Sequence, residues 1–321
     1  MLLDLTKGLC NTIVMKVPHP IPYQGSKRNL AAQILRAFPS TIDTLIEPFA
    51  GSAAISLAAA SKGLAKTYHL NDLNKALMDL WEIIINDPMT ISEQYAYLWN
   101  AQHEDRRRYY DEIRDKFNRD PEPHYFLYLL ARCVKGSVRY NADGEFNQSP
   151  DNRRRGAIPK TMRENILGAS FLLRGKAICT SEDYRTVVQH ATPSDLIYMD
   201  PPYQGVCQNR DPRYLSSVQF DEFVDCLDYL NSRDIRFIVS YDGATGEKVH
   251  GQLLPPHLEL THIQLSAGRS TQATLLGRAL STYESLYLSP ALTKEVELSH
   301  ELYLHKHAPP REQLRLMEAI G

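Results

Sequence analysis

An apolar run, Leu196-Ile197-Tyr198-Met199, that halts at Asp200-Pro201-Pro202-Tyr203 constrains this chain more than any other feature. The run reads as a buried strand ending abruptly in a rigid turn. Two consecutive prolines fix φ and remove two backbone donors, so nearby carbonyls can point into a cleft instead of joining a ladder. The strand therefore ends with a carboxylate and carbonyls that lack competing backbone donors. Such acceptors suit an exocyclic amino group, and the Tyr203 ring offers a flat face on which a base could stack. The alternative is a tight strand-to-loop turn with no chemistry.

The preceding residues supply the sheet around that strand. Leu45-Ile46 leads through Glu47-Pro48-Phe49-Ala50-Gly51-Ser52 into a helix-like small-residue stretch, residues 53–60. Strand, small-residue turn and helix form the opening of a nucleotide-binding α/β sheet. A second strand over 67–70 ends at Asn71-Asp72, and Asp72 follows Gly51 by 21 residues. That is close to the spacing at which such folds place an acid on ribose hydroxyls. From Lys75 the apolar period becomes helical, through Leu77, Leu80, Trp81 and Ile84 and again through Phe126, Leu127, Leu130 and Val134. Asp143-Gly144 between Tyr140 and Phe146 predicts a hairpin. Strand–helix alternation resumes after Lys176, with strands over 177–179, 196–199 and 235–240 and a helix over 223–230. Two final strands, 258–265 and 284–289, are expected as an antiparallel pair at one edge. The fold class is α/β: a Rossmann-like sheet formed by residues 1–74 and 175–321, with a mostly helical insert over 75–174.

Composition narrows the class. The chain has 321 residues, 43% hydrophobic and 23% charged, with formal net charge −2, an ordinary globular balance. No apolar stretch approaches a membrane span and no clean signal peptide opens the chain. Cys10, Cys133, Cys179, Cys207 and Cys226 are scattered without Cys-x-x-Cys spacing, which predicts reduced thiols in a cytoplasmic protein and no zinc site. His305 and His307, with no other ligands nearby in sequence, read as surface residues. Positive charge is concentrated instead: residues 132–176 hold ten Lys/Arg against four Asp/Glu, including Arg153-Arg154-Arg155. Such a block is either a solvated face or a nucleic-acid contact.

Taken in order, Pro22-Tyr23-Gln24-Gly25-Ser26-Lys27, Glu47-Pro48-Phe49-Ala50-Gly51-Ser52, Asn71-Asp72, Arg139-Tyr140-Asn141 to Gly144-Glu145-Phe146-Asn147, and Asp200-Pro201-Pro202-Tyr203 resemble Dam-type DNA adenine-N6 methyltransferases. The likeness runs over residues 22–289, with the motif order of the alpha group of amino-methyltransferases. It implies a Rossmann-like S-adenosylmethionine-dependent methyltransferase sheet whose insert is a target-recognition domain. S-adenosylmethionine is the implied cofactor, with no metal, and a flipped adenine in double-stranded DNA the implied substrate. Under the resemblance Tyr23 and Lys27 meet the cofactor's methionine end. Phe49, Gly51 and Ser52 let the backbone approach it, Asp72 binds the ribose, and Asp183 and Tyr184 meet the adenine ring. Glu47 and Asp200 are further acids at strand ends, suited to a positively charged sulfonium. The alternative for Lys27 is a surface lysine, and for Asp183 a capping residue.

The catalytic set implied is Asp200, Pro201, Pro202 and Tyr203. The adenine amino nitrogen is a poor nucleophile, and hydrogen bonds from its protons to the Asp200 carboxylate and a Pro201 carbonyl would free its lone pair for direct attack on the methyl group. DNA contact is expected from Lys135, Arg139, Asn141, Arg153, Arg154 and Arg155, with Arg139 a candidate bidentate reader of guanine. The bland alternative pairs Arg139 with Glu145 across the hairpin. Departures from the family pattern are Ala53 in place of a second glycine, Val134-Lys135 in place of Tyr-Asn, and Gln148-Ser149-Pro150-Asp151 in place of Pro-Phe-Gly, so no target sequence follows. The expected role is the protective partner of a restriction endonuclease acting independently, or an orphan methylase. Competing readings are an amino-methyltransferase for cytosine N4, RNA or a protein glutamine, and a non-catalytic DNA-binding protein of the same fold.

Overall fold

The computed structural model of the protein describes residues 16–103, 105–202, 218–245, 248–250, 253–269 and 281–296. Tyr203, Cys10, Cys207, His305 and His307 lie outside the described residues. The strands are β1 (Ile42–Glu47), β2 (Ala65–Asn71), β3 (Ala177–Thr180), β4 (Leu196–Met199), β5 (Arg236–Thr245), β6 (Lys248–His250), β7 (Thr261–Arg269) and β8 (Ser281–Leu288). They form one sheet in the order β3-β2-β1-β4-β5-β8-β7, with β6 paired to β5. The first five pair in parallel, whereas β8 runs antiparallel to both β5 and β7. This is a Rossmann-like α/β sheet closed at one side by the expected antiparallel pair. The sequence expectation began β7 at Leu258, but Pro256–Leu258 forms a 3-10 turn and the strand starts at Thr261.

Residues 196–199 are buried without exception because β4 is central and covered on both faces. Its side chains divide by alternation. Leu196 and Tyr198 join a hydrophobic cluster on one face, Ile197 and Met199 a second cluster on the other.

The helices are α1 (Ala31–Ile34), α2 (Ala54–Ser61), α3 (Lys75–Asn86), α4 (Pro88–Ala101), α5 (Arg106–Arg119), α6 (Pro123–Arg132), α7 (Pro159–Leu173), α8 (Tyr184–Gln189), α9 (Phe220–Ser232) and α10 (Pro290–Thr293). Proline occupies the first turn of α4, α6 and α7, where its missing N–H has no intrahelical partner to lose. Asn74 caps α3 and Asp105 caps α5. α5 is nearly all charged outside Tyr110, Ile113 and Phe117, and Arg107–Asp111 and Arg108–Glu112 pairs at i,i+4 support its outer face. Leu77, Trp81, Tyr95, Tyr110, Phe126 and Ile166 belong to the same cluster as Leu45 and Leu70 of the sheet. The helical segment 75–174 thus shares its core with that face of the sheet, while α8 and α9 cover the other face.

Candidate active site

Parallel pairing brings the ends of β1, β2, β3 and β4 to one edge, where a cavity of about 310 Å³ opens. The order reverses between β1 and β4, the position at which open α/β sheets bind ligands. Tyr23, Lys27, Glu47, Phe49, Gly51, Ser52, Asp72, Asp183, Tyr184, Asp200, Pro201 and Pro202 all line this cavity. The insert adds Val138 and Tyr140 to its wall.

Asn71, fully buried, ties the strand ends together. Its amide donates to the carbonyls of Pro48 and Glu182, and its side-chain oxygen accepts from Thr180 Oγ1 and the Glu182 amide. The turn after β1 is fixed by the Ala50 amide donating to Asn71 O (2.7 Å) and Trp81 Nε1 donating to Gly51 O (2.9 Å). Gly51 has φ +50°, and a Cβ there would press on the Tyr23 ring at 3.2 Å, so glycine avoids both backbone strain and a tight contact. Ala53 is also left-handed, at φ +46°. This residue therefore sits in a conformation that disfavours a side chain by roughly 1–2 kcal/mol.

Asp72 accepts from the Gly51 amide (3.1 Å) through one oxygen and from the Asn74 amide (3.0 Å) through the other. Burial nevertheless raises its pKa, outweighing those two bonds. Glu47 accepts from the Ser56 amide at 2.6 Å, and burial, with the Asp200 charge adding to it, pushes its pKa up to about 7. Lys27 is 8% exposed, and its Nζ lies 2.9 Å from Asp200 and 2.8 Å from Glu284. It is not a surface lysine: it joins the Asp200 carboxylate to β8. Ser26 and Ser52 are linked hydroxyl to hydroxyl at 2.7 Å, docking the N-terminal motif on the turn.

Asp183 caps α8 and pairs with Arg185 at 2.9 Å, whose guanidinium holds its pKa down. Capping and a place on the cavity wall thus coincide in one residue. Tyr184 is buried beside Phe49, ring centroids 5.1 Å apart, and its hydroxyl finds no hydrogen-bond partner among the described residues. Beneath Asp200, the Tyr198 hydroxyl is likewise buried, and burial drives its pKa well up.

None of Lys135, Arg139, Asn141, Arg153, Arg154 and Arg155 lines the cavity. Arg139 is exposed on the hairpin between the cavity-lining Val138 and Tyr140. The hairpin is held by a Tyr140–Phe146 bridge and by Asn141, whose side chain accepts from the Asp143 and Glu145 amides and donates to Glu145 Oε2 (3.0 Å). Among the described residues no ion pair joins Arg139 to Glu145. Arg153, Arg154 and Arg155 are exposed, with Arg154 3.5 Å from Asp151. Arg132, one of the ten basic residues in that block, is not on the surface. It is 1% exposed and donates to Gln102 and Tyr128.

Three residues of the site escaped the sequence reading: Asn71 as a hub, Tyr140 as a wall residue bonded to Asn74, and Glu284. The Asn71-Asp72 and Arg139-Tyr140-Asn141 motifs carried a signal for the first two. Glu284 had none, being one acid in an otherwise ordinary strand. Among the described residues no cluster of His, Cys, Asp and Glu could hold a metal ion, and no helix is long and apolar enough to cross a membrane.

Residues 23–267 match the family described as D12 class N6 adenine-specific DNA methyltransferase. Similar proteins include the Retron Ec67 DNA adenine methylase of Escherichia coli, 26% identical over 262 residues, covering 79% of this chain and 88% of that one. Modification methylase StsI of Streptococcus sanguinis is 26% identical over 238 residues, 70% of this chain and 35% of that one. The DNA adenine methylase of Serratia marcescens is 29% identical over 191 residues, 57% of this chain and 66% of that one. The chain thus spans 35% of the length of the StsI enzyme and 66% of the Serratia enzyme. It belongs to the D12 class of N6 adenine-specific DNA methyltransferases.

Proposed function

We propose that this chain transfers a methyl group from S-adenosylmethionine to N6 of an adenine in double-stranded DNA, at a specific site and with the base flipped from the helix. The observation that carries the reading is the convergence of Asp200, Lys27, Glu47, Asp72 and the Phe49–Tyr184 ring pair on one cavity at the reversal of strand order. These residue types fit the cofactor: carboxylates for an ammonium, a sulfonium and ribose hydroxyls, two rings for an adenine, and a glycine where a Cβ would fill the cradle. Bound there, S-adenosylmethionine supplies an activated methyl group.

The chain's own residues do the rest. Asp72 orients the ribose while fixing the turn that carries Gly51. Asp200, with Oδ1 held by Lys27, accepts a hydrogen bond from the adenine amino group, and the Pro201 carbonyl accepts the other. The amino lone pair is thereby drawn out of ring conjugation and directed at the methyl carbon. As the nitrogen–carbon bond formed, the methyl–sulfur bond would break with its electron pair left on sulfur, and one amino proton would pass by way of Asp200 to water. Orientation and fixed dipoles lower the barrier with no covalent enzyme intermediate. Flipping the base costs roughly a few kcal/mol, which stacking on Tyr203 would offset in part. The exposed Arg139 and Arg153–Arg155 face DNA, the first as a base reader, the others as phosphate contacts. The biological setting is modification beside an independently acting restriction endonuclease, in a cytoplasmic protein. Mass spectrometry of nucleosides from DNA treated with the purified chain should show N6-methyladenine; N4-methylcytosine alone would overturn the adenine assignment.

A further inference from the structure

Lys27 is shared by two carboxylates. Its Nζ lies 2.9 Å from Asp200 Oδ1 and 2.8 Å from Glu284 Oε1, and the three side chains are exposed by 8%, 22% and 17% for Lys27, Asp200 and Glu284. Sheltering charge from water is expensive, and a second acid on one lysine adds repulsion between the acids, so stability alone is a poor reason for the arrangement. Glu284 does not line the cavity. It stands on antiparallel β8, opposite Gly243 of β5 and Leu265 of β7, and the described ion pair by which it reaches the site runs through Lys27.

We infer that Glu284 is a positioning residue that acts on Asp200 through Lys27; the inference rests on the adenine-methyltransferase reading above. An ammonium pulled by acceptors from two sides is fixed between them, and the carboxylate it holds is fixed in turn. Charge matters equally. With Glu284 present, one positive and two negative charges leave the trio net negative, so Lys27 anchors Asp200 without neutralising it. Without Glu284 the Lys27–Asp200 pair is formally neutral and loses its hold on β8, and Asp200 becomes a weaker and less well-aimed acceptor for the amino protons. The nearby Glu47 carboxyl cannot substitute, because it is committed to the Ser56 amide and carries a pKa pushed up to about 7.

The test compares the full chain with Glu284→Gln, Glu284→Ala, Lys27→Met and the Lys27→Met/Glu284→Ala double variant, with S-adenosylmethionine and duplex DNA. Thermal melting is recorded for each. Glu284→Ala should lower kcat by roughly 10- to 100-fold, the worth of a hydrogen bond to a charged group. The KM for the cofactor should stay within about threefold, as expected for an interaction realised in the transition state. Glu284→Gln, which keeps shape but not charge, should fall between Glu284→Ala and wild type. In the Lys27→Met background, Glu284→Ala should cost less than about twofold, because the ion pair through which it is inferred to act on Asp200 is gone. Additive effects overturn the inference, as does an unchanged kcat in Glu284→Ala or a rise in KM that matches the loss of kcat. If Glu284→Ala does not fold, or Lys27→Met is too slow to follow, the kcat–KM split of Glu284→Gln decides by the same criteria. A wild-type chain that methylates no adenine brings down the functional reading and this inference together; an active wild type with additive variants brings down the inference alone.

Discussion

The cavity at the sheet edge and the basic face of the insert hold their charges in opposite ways. At the edge, Asp72 and Glu47 are fastened to backbone amides and Lys27 to two partly buried carboxylates, so each group is held by a named partner. On the insert, Arg139 and Arg153–Arg155 are exposed, and the one ion pair they make among the described residues, Arg154 to Asp151, is 3.5 Å long at the surface. Such a surface pair contributes about 0–1 kcal/mol. Fixed charges suit orienting a small cofactor and one amino group. Mobile cations suit a phosphate backbone whose register changes from site to site.

The largest effect that would break this contrast lies at Asp200. Asp200→Ala should reduce turnover by at least about 100-fold, the scale for removing a preorganised electrostatic group, and leave DNA affinity near wild type. Methyl incorporation and DNA binding, measured on the same preparation, check both halves. A variant that still turned over would return the Asp-Pro-Pro stop to a structural turn.

Glu47 tests the rigidity of the edge through pH. Its pKa is raised from 4.5 to about 7, so between those values the folded state keeps a proton that the unfolded chain releases. Stability therefore falls as pH rises through that window and is level above it, by roughly 3 kcal/mol in total. Glu47→Gln still accepts from the Ser56 amide and removes the titration, so its stability should not show that fall. Urea unfolding of both proteins at pH 4.5 and pH 8 measures the difference; parallel behaviour would mean that the carboxyl is solvated.

Asp72 sharpens the contrast further. Asp72→Ala should raise the KM for the cofactor by roughly 10- to 100-fold through loss of a charged hydrogen-bond acceptor, with kcat little changed. Isothermal titration with S-adenosylmethionine checks it directly, and unchanged affinity would remove the ribose role.

The insert should respond more weakly and in two distinct ways. Arg139→Ala should cost about 1–3 kcal/mol at one base pair and relax specificity there. Neutralising Arg153, Arg154 and Arg155 together should weaken all sequences alike and flatten the log–log salt dependence by roughly two to three units, nearer two if the Asp151 pair persists on DNA. Binding across single-base variants of the target at two salt concentrations separates the two patterns. Uniform weakening from Arg139→Ala would make it a positioning residue.

Much of the site was legible from local chemistry. The Asp-Pro-Pro stop fixed where a central strand ends, the Gly51 turn and Asp72 carried their spacing, and the change of apolar period at Lys75 marked the start of a helical run. Those signals are short-range: backbone constraint, side-chain period and residue type act within a few positions of the residue they describe. The tertiary structure decided the rest, because it depends on which distant segments the sheet brings together. Parallel pairing placed Asn71, at the end of β2, where it could bind the ends of β1 and β3. Antiparallel β8 carried Glu284 to Lys27 across 257 positions, the difference of their numbers. Burial, likewise a property of the whole packing, took Arg132 out of the basic face and lifted Glu47 to a pKa near neutrality. A sequence states which groups are present, but how far each is desolvated, and by which neighbour it is held, follows only from the long-range contacts of the fold.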